Sequence, residues 1–235
     1  MSEPRANLVP AIILAVGLVG GGWLLGDGLT RAKHADRAVT VRGLAERDVT
    51  ADLATWTIAS TAVGSDLPAL QAKADSDGDR IIAFLKAQGF GPDEIEAGGI
   101  SVSQYVDQNG RSNITIRRKT QLRTTKVMAA RAAYARQAEL MRQGVVFDSD
   151  AGGMVYSFTR LNAVKPPMIA AATKNAREGA EQFAKDSGAS VGDIKSAAQG
   201  YFSIIPRDGD SSGAAASASP FQKVRVVTTI DFYLR

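Results

Sequence analysis

The chain has no cysteine and a single histidine, His34, among its 235 residues. Without cysteine there is no disulfide framework, no thiolate nucleophile and no cysteine-ligated metal. His34 sits among Lys33, Asp36 and Arg37, just past an apolar run, so neither a Ser-His-Asp nor a Cys-His site can be built on the folded body. A zinc site would have to use carboxylates alone. Phosphate loops are missing too. Gly89-Phe90-Gly91 and Gly98-Gly99 lack the following Lys-Ser/Thr or the strand-to-helix setting and read as turn glycines. Asp208-Gly209-Asp210 begins like a calcium loop, but the later acidic ligand is absent, so solvated loop acids are the reading. Carboxylate acid/base chemistry is left with Glu94 and Glu96, in a loop of ordinary acidity. No catalytic residue, metal ligand or cofactor site is therefore assigned, and the chain is not expected to be an enzyme.

With 45% hydrophobic and 22% charged residues, the chain can bury a full core as one large or two small domains. The net charge of +4 argues only weakly for an acidic partner. From Leu8 to Gly26 no residue is charged. A helix of that length spans roughly 28 Å, close to the hydrocarbon thickness of a bilayer. This reads as a membrane segment or a signal sequence. Thr30 and Ala32 are the best cleavage pair and lie beyond Asp27, so an uncleaved anchor is preferred. Residues 1–7 are then a short tail, 8–26 the transmembrane anchor, 27–37 a juxtamembrane linker and 38–235 the folded domain. Gly17 and Gly21, with Gly22 and Gly26, form two small-xxx-small pairs through which anchor helices could approach one another. Arg5 precedes the run and Arg31, Lys33 and Arg37 follow it, which by the positive-inside rule would leave the body in the cytoplasm. A short tail followed by a lone apolar run is nevertheless how exported proteins begin, and an outward-facing domain is the expectation.

The folded part is organised around a repeat. Phe84, Lys86, Gly89, Glu94 and Ile95 match Phe183, Lys185, Gly188, Asp193 and Ile194, each pair 99 positions apart. Both copies read as a helix end feeding a strand: an apolar anchor, a cation where the helix dipole favours one, and a glycine for the left-handed stop. Strands are expected at 37–49 and 50–63, a helix at 66–88 with Pro68 in its first turn, and strands at 98–107 and 112–125 around Gln108-Asn109-Gly110. The helix has a buried stripe of Leu67, Leu70, Ala74, Ile81 and Leu85, interrupted by Asp77 and Gly78. A helix at 127–142 is followed by a second round: a strand at 153–162, a helix from Pro166 to Ser187, and strands at 194–205 and 221–234. The inner stripe of that helix reads Ile169, Ala172, Ala176, Ala180 and Phe183. Pro206 to Pro220 reads as a long flexible loop. The class is α+β: two strand-helix-strand-strand units with antiparallel sheets, repeated over about 50–126 and 151–235, preceded by one transmembrane helix.

Arg111, Arg117, Arg118, Lys119, Arg123, Lys126, Arg131, Arg136 and Arg142 form a basic run opposed within it only by Glu139. Strand alternation puts Arg117, Lys119, Gln121 and Arg123 on one face and Arg118, Thr120 and Leu122 on the other. Arg117, Lys119 and Arg123 are candidates for an acidic ligand or for a subunit contact, beside the plainer reading of a solvated strand face. No aromatic side chain interleaves the charges on the strand from Arg117 to Arg123, so no nucleic-acid partner is expected.

The order of short motifs resembles the SIMPL-domain family of bacterial envelope proteins, which includes periplasmic immunogenic and oxidative-stress-defence proteins. Val39-Thr-Val-Arg-Gly43, Val49 and Asp52-Leu-Ala54-Thr-Trp-Thr-Ile58 are similar to its opening pattern. Phe84-Leu-Lys-Ala-Gln-Gly89 through Ile100-Ser-Val-Ser-Gln-Tyr105 resembles its helix end, turn and strand, and Asn175-Ala176-Arg177, Ala180, Ala184, Gly188 and Gly192 its late helix. Ala51, Ala45 and Arg118 depart from the residues usual there. The resemblance implies an α+β domain outside the cytoplasm, without established catalytic residues, whose members assemble into ring-like or channel-like homo-oligomers. The expectation is a non-enzymatic protein of the cytoplasmic (inner) membrane, single-pass, its domain in the periplasm. It would self-assemble as an envelope scaffold linked to stress defence, with itself and the membrane as partners. The alternative is a binding module for an acidic ligand, a lipid headgroup or envelope polymer, on the basic strand face.

Overall fold

The computed structural model describes residues 13–24, 26, 37–106, 108, 112–148, 152–208 and 215–235. A helical stretch, α1, covers residues 13–24. After it come β1 (Ala38–Thr50), β2 (Leu53–Gly64), α2 (Leu67–Ala87), β3 (Ile95–Val106), β4 (Ser112–Thr124), α3 (Val127–Ala135) and α4 (Ala138–Arg142). The order then continues through β5 (Met154–Ser157), α5 (Leu161–Asp186), β6 (Val191–Gln199), β7 (Ser203–Pro206) and β8 (Phe221–Leu234). Contacts divide the chain into one unit of Met1–Ala45, Pro167–Phe202 and Val226–Arg235 and a second of Glu46–Pro166 and Ser203–Arg225.

In the second unit, alternation of apolar and polar residues gives an antiparallel sheet ordered β3-β4-β2-β5. The inward residues of β2 and β4, Trp56, Ile58 and Leu122, share one core with Ile81, Phe84 and Leu85 of α2, Ala130 of α3 and Leu140 of α4. Trp56 meets Tyr134 edge to face at 5.2 Å. Burying a side chain such as Leu122 or Leu85 contributes about 1.5–3 kcal/mol, and truncating either to Ala would cost about 2–5 kcal/mol. Helix α2 opens with the Asp66 carboxylate accepting the Ala69 N–H at 3.4 Å and closes with Lys86 in its last turn. Gly89 follows at φ +90°, as Gly188 does after α5 at φ +69°.

Asp77 and Gly78 do not interrupt α2. Both are buried against the sheet. A Cβ on Gly78 would lie 2.6 Å from the Arg118 Nε, so the missing side chain makes room for a guanidinium that pairs with Asp75. The Asp77 carboxylate is 1% exposed and faces Lys73 Nζ at 2.8 Å and Arg80 Nη1 at 3.6 Å. Leu67, expected in the buried stripe, is instead 42% exposed at the helix start.

In the first unit β1, β8 and β6 lie side by side, with Val39, Ile230 and Phe232 packed on Ala176 and Ala180 of α5. The buried column of α5 in this unit is Met168, Ala172, Ala176, Ala180 and Ala184, one residue every four. Methyl groups there let β1 pass at Gly43, where a Cβ would stand 1.9 Å from the Ala172 carbonyl oxygen. Phe183, expected in that stripe, is 56% exposed. Its repeat partner Phe84 is buried in a core shared with α3 and α4, helices that have no counterpart after α5 among the described residues.

Several expectations change. The second unit of the repeat was to open with a strand at 153–162, but residues from Leu161 onward are helical, and only β5, of four residues, remains. β5 pairs with β2, while the thirteen-residue β1 takes the place beside β8. The unit is therefore not a continuous strand-helix-strand-strand segment. Pro166 and Pro167 lie inside α5, not at its start. β3 begins at Ile95 and takes up Gly98-Gly99 in a register shift between Ala97 and Ile100, so these glycines mark a strand bulge and not a turn. The helix expected at 127–142 divides into α3 and α4, and the strand at 194–205 into β6 and β7. The Asn109-Gly110 turn, His34, Gly209 and Asp210 lie outside the described residues.

The transmembrane reading is also corrected. Among the described residues no helix is long and apolar enough to cross a membrane. Residues 8–12 and 25 of the expected anchor lie outside the described residues. The single-pass inner-membrane localisation, the membrane as a partner and the membrane-anchored scaffold depended on that segment and go with it, and the periplasmic placement, which the resemblance also implied, is not supported by the structure. The ring-like or channel-like self-assembly loses the anchor that was to concentrate it. A Cβ added at Gly17, Gly21, Gly22 or Gly26 would have nothing within 4 Å.

Candidate functional site

Strand β4 runs through the middle of the second unit's sheet, and its burial alternates from Ile114 to Thr124. Ile114, Ile116, Thr120, Leu122 and Thr124 are buried on the side of α2, while Arg117, Lys119 and Arg123 are exposed on the other. Register sets Thr61 beside Arg117, Ala59 beside Lys119 and Thr55 beside Arg123. The structure thus brings the three expected cations onto one face. It treats them differently. Arg117 Nε holds the Asp148 carboxylate at 2.7 Å, whereas neither Lys119 nor Arg123 has an acidic partner among the described residues. Glu96, opposite Gln121, is the acid that β3 adds to this face.

The rest of the basic run disperses. Arg118 turns to the α2 side and pairs with Asp75. Lys126 Nζ donates to Glu94 Oε2 at 2.9 Å and to the Gly89 carbonyl at 3.0 Å. The Arg131 guanidinium stands 5.5 Å from the Phe221 ring centroid, and Arg136 is held by Glu139 at 2.8 Å.

Glu94 is not the acid/base residue that its sequence neighbourhood left open. Its carboxylate accepts from Thr124 Oγ1, from the Gly91 N–H at 2.8 Å and from Lys126. These donors, Thr124 first, hold its pKa down to about 2. A carboxylate so stabilised is a weak base near neutrality, and here it ties the 3-10 turn of residues Pro92–Glu94 to the end of β4. Asp52 behaves alike. Burial raises its pKa, but the Thr159 N–H at 2.7 Å and Arg160 Nε at 2.9 Å outweigh that and leave it lowered.

A depression of about 740 Å³ opens between these two networks, lined by Thr50, Asp52, Thr125, Lys126, Met128 and Arg160. Both of its cations are already spent, Arg160 on Asp52 and Lys126 on Glu94. Among the described residues no group of three or more histidines or acids is arranged to hold a metal.

Sequence reasoning missed the edge of this sheet. β3 has β4 on one side and nothing on the other among the described residues, and eleven of its twelve residues are exposed. Ile100, Val102 and Val106 are each more than half exposed on it. The available signal was an absence: no Lys, Arg or Pro occurs between Ile95 and Val106, the residues that usually blunt a sheet edge.

A model of the family described as SIMPL, protein of unknown function (DUF541), matches residues 39–232. Among curated proteins none matches.

Proposed function

The chain belongs to the SIMPL family, whose domains are generally non-catalytic scaffolds, and from that premise we propose that it works by binding an acidic partner on the outer face of its β4 strand. One observation carries this reading: Lys119 and Arg123 stand exposed on a rigid, centrally placed strand with no acidic partner among the described residues. The cations of the neighbouring depression, by contrast, are neutralised within the fold. Holding long cationic side chains on a strand flanked on both sides costs little further backbone entropy when a ligand arrives. Arg117, balanced by Asp148, contributes through its remaining N–H groups and not as a free charge.

Binding of fluorescein-labelled polyglutamate to the full chain tests this. Affinity should fall steeply with added salt. The double variant Lys119→Glu/Arg123→Glu should weaken it by about tenfold or more. Binding that ignores both salt and the double variant would overturn the reading.

A further inference from the structure

We infer that the acidic partner is a polypeptide, and that it docks by adding one extended strand outside β3, with apolar side chains toward the α2 side and acidic ones toward Lys119 and Arg123. This rests on the basic-face reading and specifies what that face recognises.

The backbone supplies the first reason. An edge strand of twelve residues presents a row of N–H and C=O groups at a repeat that another extended backbone matches. The unit's other edge does not offer this: β5 has four residues. In the other sheet the outer strands are β1, which carries Arg42 and Arg47, and β6, which carries Asp193 and Lys195 and stops before Gly200. β3 alone of these is long and without basic residues or proline.

The two faces supply the second reason, since they differ in chemistry. Register places Ile100 beside Arg118 and Val102 beside Ile116, on the side where Ile114, Ile116, Leu70 and Ala74 form a buried cluster. Ile100 and Val102 are 52% and 57% exposed, so they prolong that apolar layer to a rim with nothing beyond it. An added strand with apolar residues at alternate positions would continue the layer.

On the opposite face β3 carries Glu96 and Tyr105 toward its two ends, beside Gln121 and Asn113, and only short side chains between them. Ser101 lies beside Arg117, and the glycine bulge interrupts the register next to Lys119. A strand outside β3 would be about 9–10 Å from β4, a gap that a lysine or arginine and a glutamate can close between them. Nothing on Gly98, Gly99 or Ser101 stands tall enough to screen it. Charge complementarity thus selects acidic residues at the alternate positions of the incoming strand, and alternation of apolar with acidic residues is the recognised pattern.

The experiment compares three labelled peptides on the full chain: alternating valine and glutamate, a block arrangement of the same composition, and polyglutamate. Hydrogen exchange is followed in β3. The alternating peptide should bind at least about tenfold more tightly than the block peptide and slow exchange at alternate amides between residues 95 and 106. Val102→Lys puts a charge on a side chain already 57% exposed. It should leave the unfolding midpoint in place, remove the preference for the alternating peptide and spare polyglutamate binding. If the three peptides bind alike through Lys119 and Arg123 and exchange in β3 stays fast, the strand-addition inference fails while the basic-face reading stands. If no peptide depends on those two residues, both fail. Concentration-dependent protection of β3 without peptide, not competed by peptide, would give the edge to a second copy of the chain and overturn the inference.

Discussion

Gly43→Ala probes the closest packing in the first unit. The added Cβ would lie 1.9 Å from the Ala172 carbonyl oxygen and 2.8 Å from both the Ala176 nitrogen and its Cβ. All three obstacles are backbone or the first side-chain atom, so no rotamer can relieve the overlap. A carbon needs about 3.3 Å from a carbonyl oxygen, and β1 must therefore retreat from α5 by about 1–1.5 Å. A gap of that size forfeits about half or more of each contact well between Val39 of β1 and Ala176 and Ala180 of α5. It also breaks the bond that the Leu44 N–H donates to Asn175 Oδ1 at 3.0 Å. Overpacking at about 3 kcal/mol and a lost hydrogen bond at about 1 kcal/mol give about 4 kcal/mol. For a chain of this size that is a fall in melting temperature of roughly 8–16 °C, read by circular dichroism. Gly179→Ala, on the exposed side of the same helix with nothing within 4 Å of its Cβ, should instead stabilise by about 0.5–1 kcal/mol. A Gly43→Ala chain that loses less than about 1 kcal/mol would refute the close approach of β1 to α5.

Glu94→Gln should lower stability near neutrality. The folded pKa of Glu94 is about 2 against an ordinary 4.5, so its contribution is complete above pH 4.5 and disappears as pH falls through 2. The full shift corresponds to about 3 kcal/mol, and solvent screening of the half-exposed Lys126 reduces this to about 1–2 kcal/mol. Urea unfolding at neutral pH and near pH 2 checks it, and a gap between wild type and variant that does not close in acid would contradict the assignment. Around Asp77 the asymmetry is the expectation. Lys73→Ala with Arg80→Ala strands a carboxylate that is 1% exposed and should cost about 3–5 kcal/mol. Asp77→Leu leaves two cations that already reach water and should cost under about 1 kcal/mol. Equal losses in urea titrations would remove the argument.

Features decided within a few residues were legible in the sequence. Gly89 and Gly188 were assigned as helix stops from their shared surroundings, and both take the left-handed conformation. Alternation along β4 separated Arg117, Lys119 and Arg123 from Arg118, because one strand face was buried and the period of two leaves no freedom. Features decided by a distant partner were not legible. Propensity marked Asp77-Gly78 as a weak point in a helix, but Arg118, forty residues away on β4, requires that gap. Proline preference placed a helix start at Pro166. The carbonyls that Pro166 and Pro167 leave without donors belong to Asn162 and Ala163, both exposed, so water can satisfy them and the helix begins earlier. Which strand lies beside β8 depended on β1 being long enough to supply a ladder, a comparison no local window contains. The open edge of β3 left no positive pattern at all, only missing lysine, arginine and proline.

The distribution of satisfied and unsatisfied groups separates the scaffold from its surface. Glu94, Asp52 and Asp231 are each held below their ordinary pKa by donors from neighbouring elements. For Asp231 the donors are Ser196 and then Thr40, on the strands at either side. Carboxylates fixed this way hold turns and strands together and are poor proton acceptors near neutrality. On the outer face of the β4 sheet the groups left without acidic partners among the described residues are of another kind: two cations, Lys119 and Arg123, with the open edge of β3 beside them. A free edge next to uncompensated charge is costly to keep if it has no use, because it invites unselective pairing. Lysines on the edge itself would remove that risk, and here the positive charge stands one strand inward instead. In that position it does not block an incoming strand, and it favours one that carries acidic residues.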